Sequence, residues 1–175
     1  MYISFKHQRF FLSLITVQQT RKDLITSDST GEQQLINAVK QGSPEAFARL
    51  YDQYGAILFG FITRIIDHPQ IAEGVLQNSF IVIWKSMITF DPEKERLLTW
   101  MLKITMGVAI NALPDTQEEI TAEPADIKTM NSIITLIFFK GLTLADAARK
   151  VEIPLNLLIP KMKMAFTQLN RGQQQ

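Results

Sequence analysis

The chain has 175 residues, room for one medium domain or two small ones, and 46% of them are hydrophobic, enough to build a core. It has no cysteine, which excludes disulfides, thiolate metal sites and a cysteine nucleophile and suits a reducing cytosol; its two histidines, His7 and His68, are too far apart in sequence to suggest a metal site. The net charge of +1 decides nothing about nucleic acid, but its distribution is uneven: behind the acidic stretch Glu118, Glu119, Glu123 and Asp126, seven basic residues stand against Asp146 and Glu152 alone.

Residues 1–30 form an N-terminal extension. Lys6 and Arg9 precede the apolar run Phe10, Phe11, Leu12, Leu14, Ile15 and Val17, the order of a secretory signal. No small-x-small cleavage site follows, and the run is too short to span a bilayer. A loosely docked extension on a cytoplasmic protein, without membrane insertion, is the expectation. Residues 31–41 read as a short polar helix. Ser43, Pro44 and Glu45 then form a helix start: an N-cap hydroxyl, proline at the first helical position and an acid in the first turn. The helix that follows keeps Phe47, Leu50, Tyr51, Tyr54, Ile57, Leu58, Phe61, Ile62 and Ile65 at helical spacing through Ile66, until Asp67-His68-Pro69 ends it.

Ala72, Val75, Leu76, Ser79, Phe80, Ile83 and Met87 predict a helix over 71–87. Pro92 pushes Asp91 out of the helical region and separates it from the next, where Leu97, Met101, Ile104 and Val108 recur with Trp100 beside them. Joined by a short turn, these two helices are expected to bury their stripes against each other. Residues 114–126 read as a short acidic linker. Met130, Ile133, Ile134, Ile137 and Phe138 predict a helix that Gly141 breaks. Thr143 can cap a short helix carrying Leu144, Ala147, Ala148 and Val151. After the turn at Glu152-Ile153-Pro154, Leu158, Met162, Ala165 and Leu169 share one face of a last helix. Pro160 leaves two outcomes for it: a start at Leu155 with a kink, or a restart with Pro160 in the first turn. The fold class is all-α, with two small helical domains over 31–113 and 127–175.

The run from Gln77 through Phe80, Trp84 and Phe90-Asp91-Pro92 to Trp100 resembles region two of the extracytoplasmic-function sigma factors of bacterial RNA polymerase. The stretch QGSPEAFARLYDQYGAILFGF is similar to the first long helix of that region, and FFKGLTLADAARKVEIPLNLLIPKMKMAFTQL to region four, a helix-turn-helix. The resemblance implies a three-helix unit, a transcription initiation factor rather than an enzyme, and no cofactor, metal or small-molecule substrate. It implies RNA polymerase core, promoter DNA and an anti-sigma factor as partners. Carried over by position, Glu73, Gln77 and Asn78 would meet polymerase. Lys94, Arg96, Trp100, Lys103 and Asn111 would meet DNA from region two, and Thr143, Asn156, Lys161, Lys163 and Arg171 from region four.

The chain departs from the family pattern on each of these surfaces. Gly74 and Asn78 stand where acids are usual; Thr105-Met106-Gly107 stand where the promoter-opening helix carries arginine, asparagine and basic residues; Ile159 and Pro160 stand in the recognition helix. Two functions therefore stay open: a promoter-reading sigma subunit, and a degenerate sigma-like interaction protein that binds polymerase or an anti-sigma partner without reading sequence. Trp100 likewise has two readings, a core residue or a platform for a displaced base, where stacking is worth roughly 1–3 kcal/mol. Asp91, Glu93 and Glu95 read as turn residues and solvated charge, with no partner that would make them catalytic.

Overall fold

A computed structural model describes residues 29–114 and 123–172, with side chains over 31–114 and 123–167. The extension over 1–28, the middle of the linker at 115–122 and the side chains of Leu169 and Arg171 lie outside the described residues. Seven α-helices and no strand occur among the described residues: α1 (Ser29–Lys40), α2 (Pro44–Ile62), α3 (Pro69–Ser86), α4 (Leu97–Ala112), α5 (Ile127–Phe138), α6 (Leu144–Lys150) and α7 (Leu155–Gly172). A 3-10 turn, Met87–Thr89, follows α3.

The first unit holds the three long helices and, before them, the short helix read at 31–41. α1 starts at Ser29, two residues before the expected boundary, and buries Leu35, Ile36 and Val39 against α2 and the 3-10 turn. A second tie is polar: the Tyr54 hydroxyl donates to the Glu32 carboxylate at 2.9 Å. Burial, then the Glu32 charge, pushes the Tyr54 phenol far above its ordinary range.

α2 begins as its sequence dictates. The Ser43 hydroxyl accepts from the Ala46 amide at 3.1 Å, and Pro44 occupies the first turn. The helix ends at Ile62, short of Ile66. The Ile65 and Ile66 amides both bond the Ile62 carbonyl at 2.9 Å, which tightens the last turn and keeps both isoleucines buried. Leu50, Leu58 and Ile62 then meet Ala72, Val75, Leu76, Phe80 and Ile83 of α3 in one core. The α3–α4 pair is the most extensive helix pairing in the molecule, as the two stripes predict.

α4 is not the one-sided helix its spacing suggests. Leu97 and Met101 are buried, but Ile104 and Val108 are only half-buried, while Leu102, Thr105, Met106, Gly107, Ala109 and Ile110 are buried. The cause is a second neighbour: α2 and α3 cover one side of α4, and α7 covers another.

In the second unit, Asp126 caps α5 by accepting from the Thr129 amide at 2.6 Å, and Thr143 caps α6 by accepting from the Asp146 amide at 3.2 Å. Gly141 turns the chain between them at φ +72°, which suits glycine. α7 starts at Leu155 and runs through Pro160, the first of the two outcomes the proline left open. The Leu158 amide bonds the Pro154 carbonyl at 2.8 Å, so the helix is already under way when the proline arrives. Leu158, Met162 and Ala165 are buried as expected. Phe166 is buried too, and the sequence reading did not single it out.

The two units share one continuous core. The Leu144 amide donates to the Arg64 carbonyl at 2.8 Å, and the Arg64 guanidinium donates to the Gly141 carbonyl. Phe166 of α7 lies on Gly107 of α4: a Cβ at 107 would stand 3.0 Å from the ring.

Candidate nucleic-acid and polymerase interface

The outer face of α3 carries Glu73 and Gln77 one helical turn apart, with Asn78 beside them, all exposed. Gly74 lies between, and a Cβ there would meet nothing within 4 Å. Packing does not demand this glycine, which costs the helix about 1 kcal/mol relative to alanine. Glu73 also acts inward: burial first, then the charges of Asp52 and Glu73, raises the Tyr51 phenol above its ordinary range.

The turn before α4 is tightly organised. The Asp91 carboxylate accepts from the Glu93 amide at 3.0 Å and pairs with Lys94 at 3.2 Å, and that amide and the lysine hold its carboxyl below the usual range. Lys94 and Arg96 are exposed, with Arg96 at the N-cap of α4. Trp100 is half-buried. Its ring meets Phe90 at a centroid distance of 5.1 Å with the planes tilted by 49°. Lys103 is paired with Glu95 at 2.8 Å, which supplies the partner for a Glu95 carboxylate oxygen otherwise closed off from water. Asn111 is exposed near the far end of α4, about three turns from Trp100.

Lys40 is a residue the sequence reading missed. Its ammonium donates to the Phe90 carbonyl at 2.7 Å and lies 5.9 Å from the centre of the Phe90 ring. It therefore fixes the turn on which Trp100 rests. No local signal points to it, because the partner lies fifty residues away.

The region-four candidates are differently placed. Thr143 is exposed but spent on its cap, where its hydroxyl also donates to Asp146 at 2.8 Å. The same hydroxyl, followed by Arg149, holds the Asp146 carboxyl below the ordinary range. Asn156 is exposed in the first turn of α7. Lys161 donates to the Glu123 carbonyl at 3.1 Å, and Lys163 donates to the Leu113 carbonyl at 2.7 Å. Both lysines thus grip the two described ends of the linker. Lys163 also places positive charge at the C-terminus of α4, where the helix dipole favours it.

The seam between α4, α5 and α7 encloses a cavity of about 280 Å³. Trp100, Lys103, Ile104, Met130, Ile134 and Phe166 are among its walls. Candidates from region two and the unforeseen Phe166 therefore meet at one place. Among the described residues, no group of histidines and acids is placed to hold a metal ion, and no helix is long and apolar enough to cross a membrane.

The sequence model of Sigma-70 region 2 matches residues 50–119, which contain α3, the turn at Asp91 and α4. The chain is similar to the ECF RNA polymerase sigma factor SigK of Mycolicibacterium vanbaalenii, with 29% identity over 63% of this chain and 55% of that protein. It is similar to the ECF RNA polymerase sigma-E factor of Haemophilus influenzae at 32% identity, over 54% of this chain and 52% of the relative. It is also similar to the ECF RNA polymerase sigma factor RpoE of Cereibacter sphaeroides at 22% identity, over 83% of this chain and 96% of the relative. The chain thus spans about half the length of the first two of these relatives. Within this all-helical fold, residues 50–119 thus match sigma-70 region 2. The relatives it resembles are extracytoplasmic-function sigma factors.

Proposed function

We propose that the chain acts in the cytoplasm as a sigma subunit that binds RNA polymerase core and directs it to promoters. The face of α3 bearing Glu73, Gln77 and Asn78 meets the polymerase. The start of α4 meets the opened strand near the minus-ten element, and α6 and α7 read the element near minus thirty-five. One observation carries this reading. Lys94 and Arg96 stand exposed at the entrance to α4, Lys94 paired with Asp91, and a turn ahead of the helix holds Trp100 on Phe90, so a half-open aromatic platform lies beside two exposed positive side chains. Such a platform stacks bases without regard to sequence, and the cations supply the phosphate contacts.

Run-off transcription with core polymerase on a library of upstream sequences tests it. Transcripts dependent on this chain and on particular upstream sequences are expected. Trp100→Ala should lower open-complex formation by roughly tenfold or more, since losing one stacked base costs on the order of 1–3 kcal/mol. No dependence on Trp100, or no transcript at all, overturns the reading. A second reading is favoured by Lys161 and Lys163, which both bond carbonyls of their own chain. It is an interaction protein that binds polymerase or an anti-sigma factor without reading promoters. Binding to core polymerase that is indifferent to promoter sequence at every salt concentration would establish it.

A further inference from the structure

The cavity in the seam lies where two helical units meet, a setting in which ligand sites form readily. Met130, Ile134 and Phe166 are buried and make its floor, while Trp100 and Ile104 are half-buried and make a side wall. Protein interiors leave few voids larger than a water molecule. Here about 280 Å³ stays open between α4, α5 and α7. An apolar cavity of about 150 Å³ already admits benzene. The seam cavity therefore has room for one aromatic ring and a small substituent. It falls just short of the roughly 300 Å³ at which drug-sized sites begin.

One wall is polar in a particular way. Lys103 and Glu95 both line the cavity and pair with each other at 2.8 Å. The Glu95 Oε2 atom is closed off from water, and the Lys103 ammonium is the group that faces it. An ammonium carries three protons, of which this pairing occupies one, and a carboxylate keeps further lone pairs to accept with. The pair thus presents a donor and an acceptor side by side with no net charge. A charged ligand would bring an uncompensated charge into a mostly apolar space, which is costly. A neutral group with an N–H and a C=O on one edge matches the wall without that cost. A carboxamide or lactam is such a group.

We propose that the seam cavity is a binding site for a small aromatic carboxamide or lactam. The ring of the ligand lies among Trp100, Ile134 and Phe166. Its carbonyl accepts from the Lys103 ammonium, and its N–H donates to the Glu95 carboxylate. Trp100, Lys103 and Glu95 belong to the first unit, and Met130, Ile134 and Phe166 to the second, so one molecule touches both. The family resemblance does not imply this site, and the proposal does not rest on the function proposed above.

Calorimetric titration of the full chain with three probes of one shape tests it: benzamide, benzoate and benzylammonium. Benzamide should bind saturably at one site, with a dissociation constant of about 1 mM or below, the range open to a ligand of this size. Each charged probe should bind on the order of tenfold more weakly. Breaking the pair should redirect the preference. Glu95→Ala leaves the Lys103 ammonium unmatched, so benzoate should overtake benzamide; Lys103→Met leaves the Glu95 carboxylate unmatched, so benzylammonium should overtake it, each by roughly tenfold. Ile134→Trp fills the cavity from its floor and should abolish benzamide binding while helical circular dichroism is unchanged. Ile104→Trp, on the half-buried wall, serves if Ile134→Trp does not fold. The site is overturned by an absence of saturable benzamide binding in the millimolar range, by equal binding of the three probes, by a preference that neither pair variant moves, or by benzamide binding that survives in a folded, filled variant.

Discussion

The first unit closes its own core, and the second borrows. Leu50, Leu58, Ile62, Ile83 and Met101 of the first are fully buried among helices of 16 to 19 residues. In the second, α6 has only seven residues and buries Leu144 and two alanines. An isolated helix needs about 12–15 residues to be even marginal in water, so α6 exists by packing alone. α7 turns Phe166 outward onto α4, and the loop before α6 is tied to Arg64. A helix-turn-helix is usually pictured as a module on a tether. Here it leans on the unit it is tethered to.

Matched leucines give the largest test of that asymmetry. Leu58 and Leu158 are both wholly buried, and changing either to alanine should cost about 2–5 kcal/mol by the lost transfer energy and the cavity left behind. The consequences should differ. Leu58→Ala should destabilise the whole chain, because the second unit loses its support. Leu158→Ala should release the second unit and leave the first folded. Trp84 packs on Phe47 inside the first unit whereas Trp100 lines the seam, so in a Trp100→Phe background denaturant unfolding followed by tryptophan emission reports on the first unit, while helical circular dichroism reports on both. Coincident transitions in Leu158→Ala would mean that the two units stand or fall together.

That asymmetry also marks what was legible in the sequence. Stripes at helical spacing are strong signals in long helices, so α2, α3 and α4 could be placed, while Ser43 and Pro44 marked the start of α2 and Thr143 that of α6. Glycine and proline punctuated the second unit correctly at Gly141 and Pro154. The seam was not legible. Gly107 read as a lost DNA contact, because nothing local says that a ring from 59 residues away lies against it. Phe166 fell off the expected face of its helix for the same reason: that face was drawn for one neighbour, and α7 has two. Lys161 and Lys163 looked like phosphate grips since a carbonyl partner in a linker leaves no mark in composition. Which candidates touch DNA or polymerase depends on partners, and no spacing rule encodes those.

A smaller effect is expected at the polar hinge of the seam. Arg64→Met keeps the length of the side chain and the backbone carbonyl that receives Leu144, but leaves the Gly141 carbonyl without its donor. An unpaired, part-buried carbonyl costs about 1–3 kcal/mol. The loss should appear in the second unit's transition and hardly in tryptophan emission. If emission shifts as much as helicity does, Arg64 serves the first unit and the comparison between the two blurs.

The smallest effect concerns acid. The first long helix takes its cap from the Ser43 hydroxyl, whereas the second unit begins with a carboxylate at Asp126. The Thr129 amide, followed by the Thr129 side chain, holds the Asp126 carboxyl below the ordinary value of 3.8. A pKa depressed in the folded state stabilises most fully above the unfolded value, and that contribution is lost as pH falls through the depressed one. The deficit of Asp126→Asn should therefore be present at neutral pH and shrink as pH drops below about 4, where the native carboxyl is itself becoming neutral. The thermal midpoints of the two proteins, measured across that window, should converge. A deficit of constant size at every pH would mean that Asp126 caps α5 through its shape and hydrogen bond alone, with its charge contributing nothing.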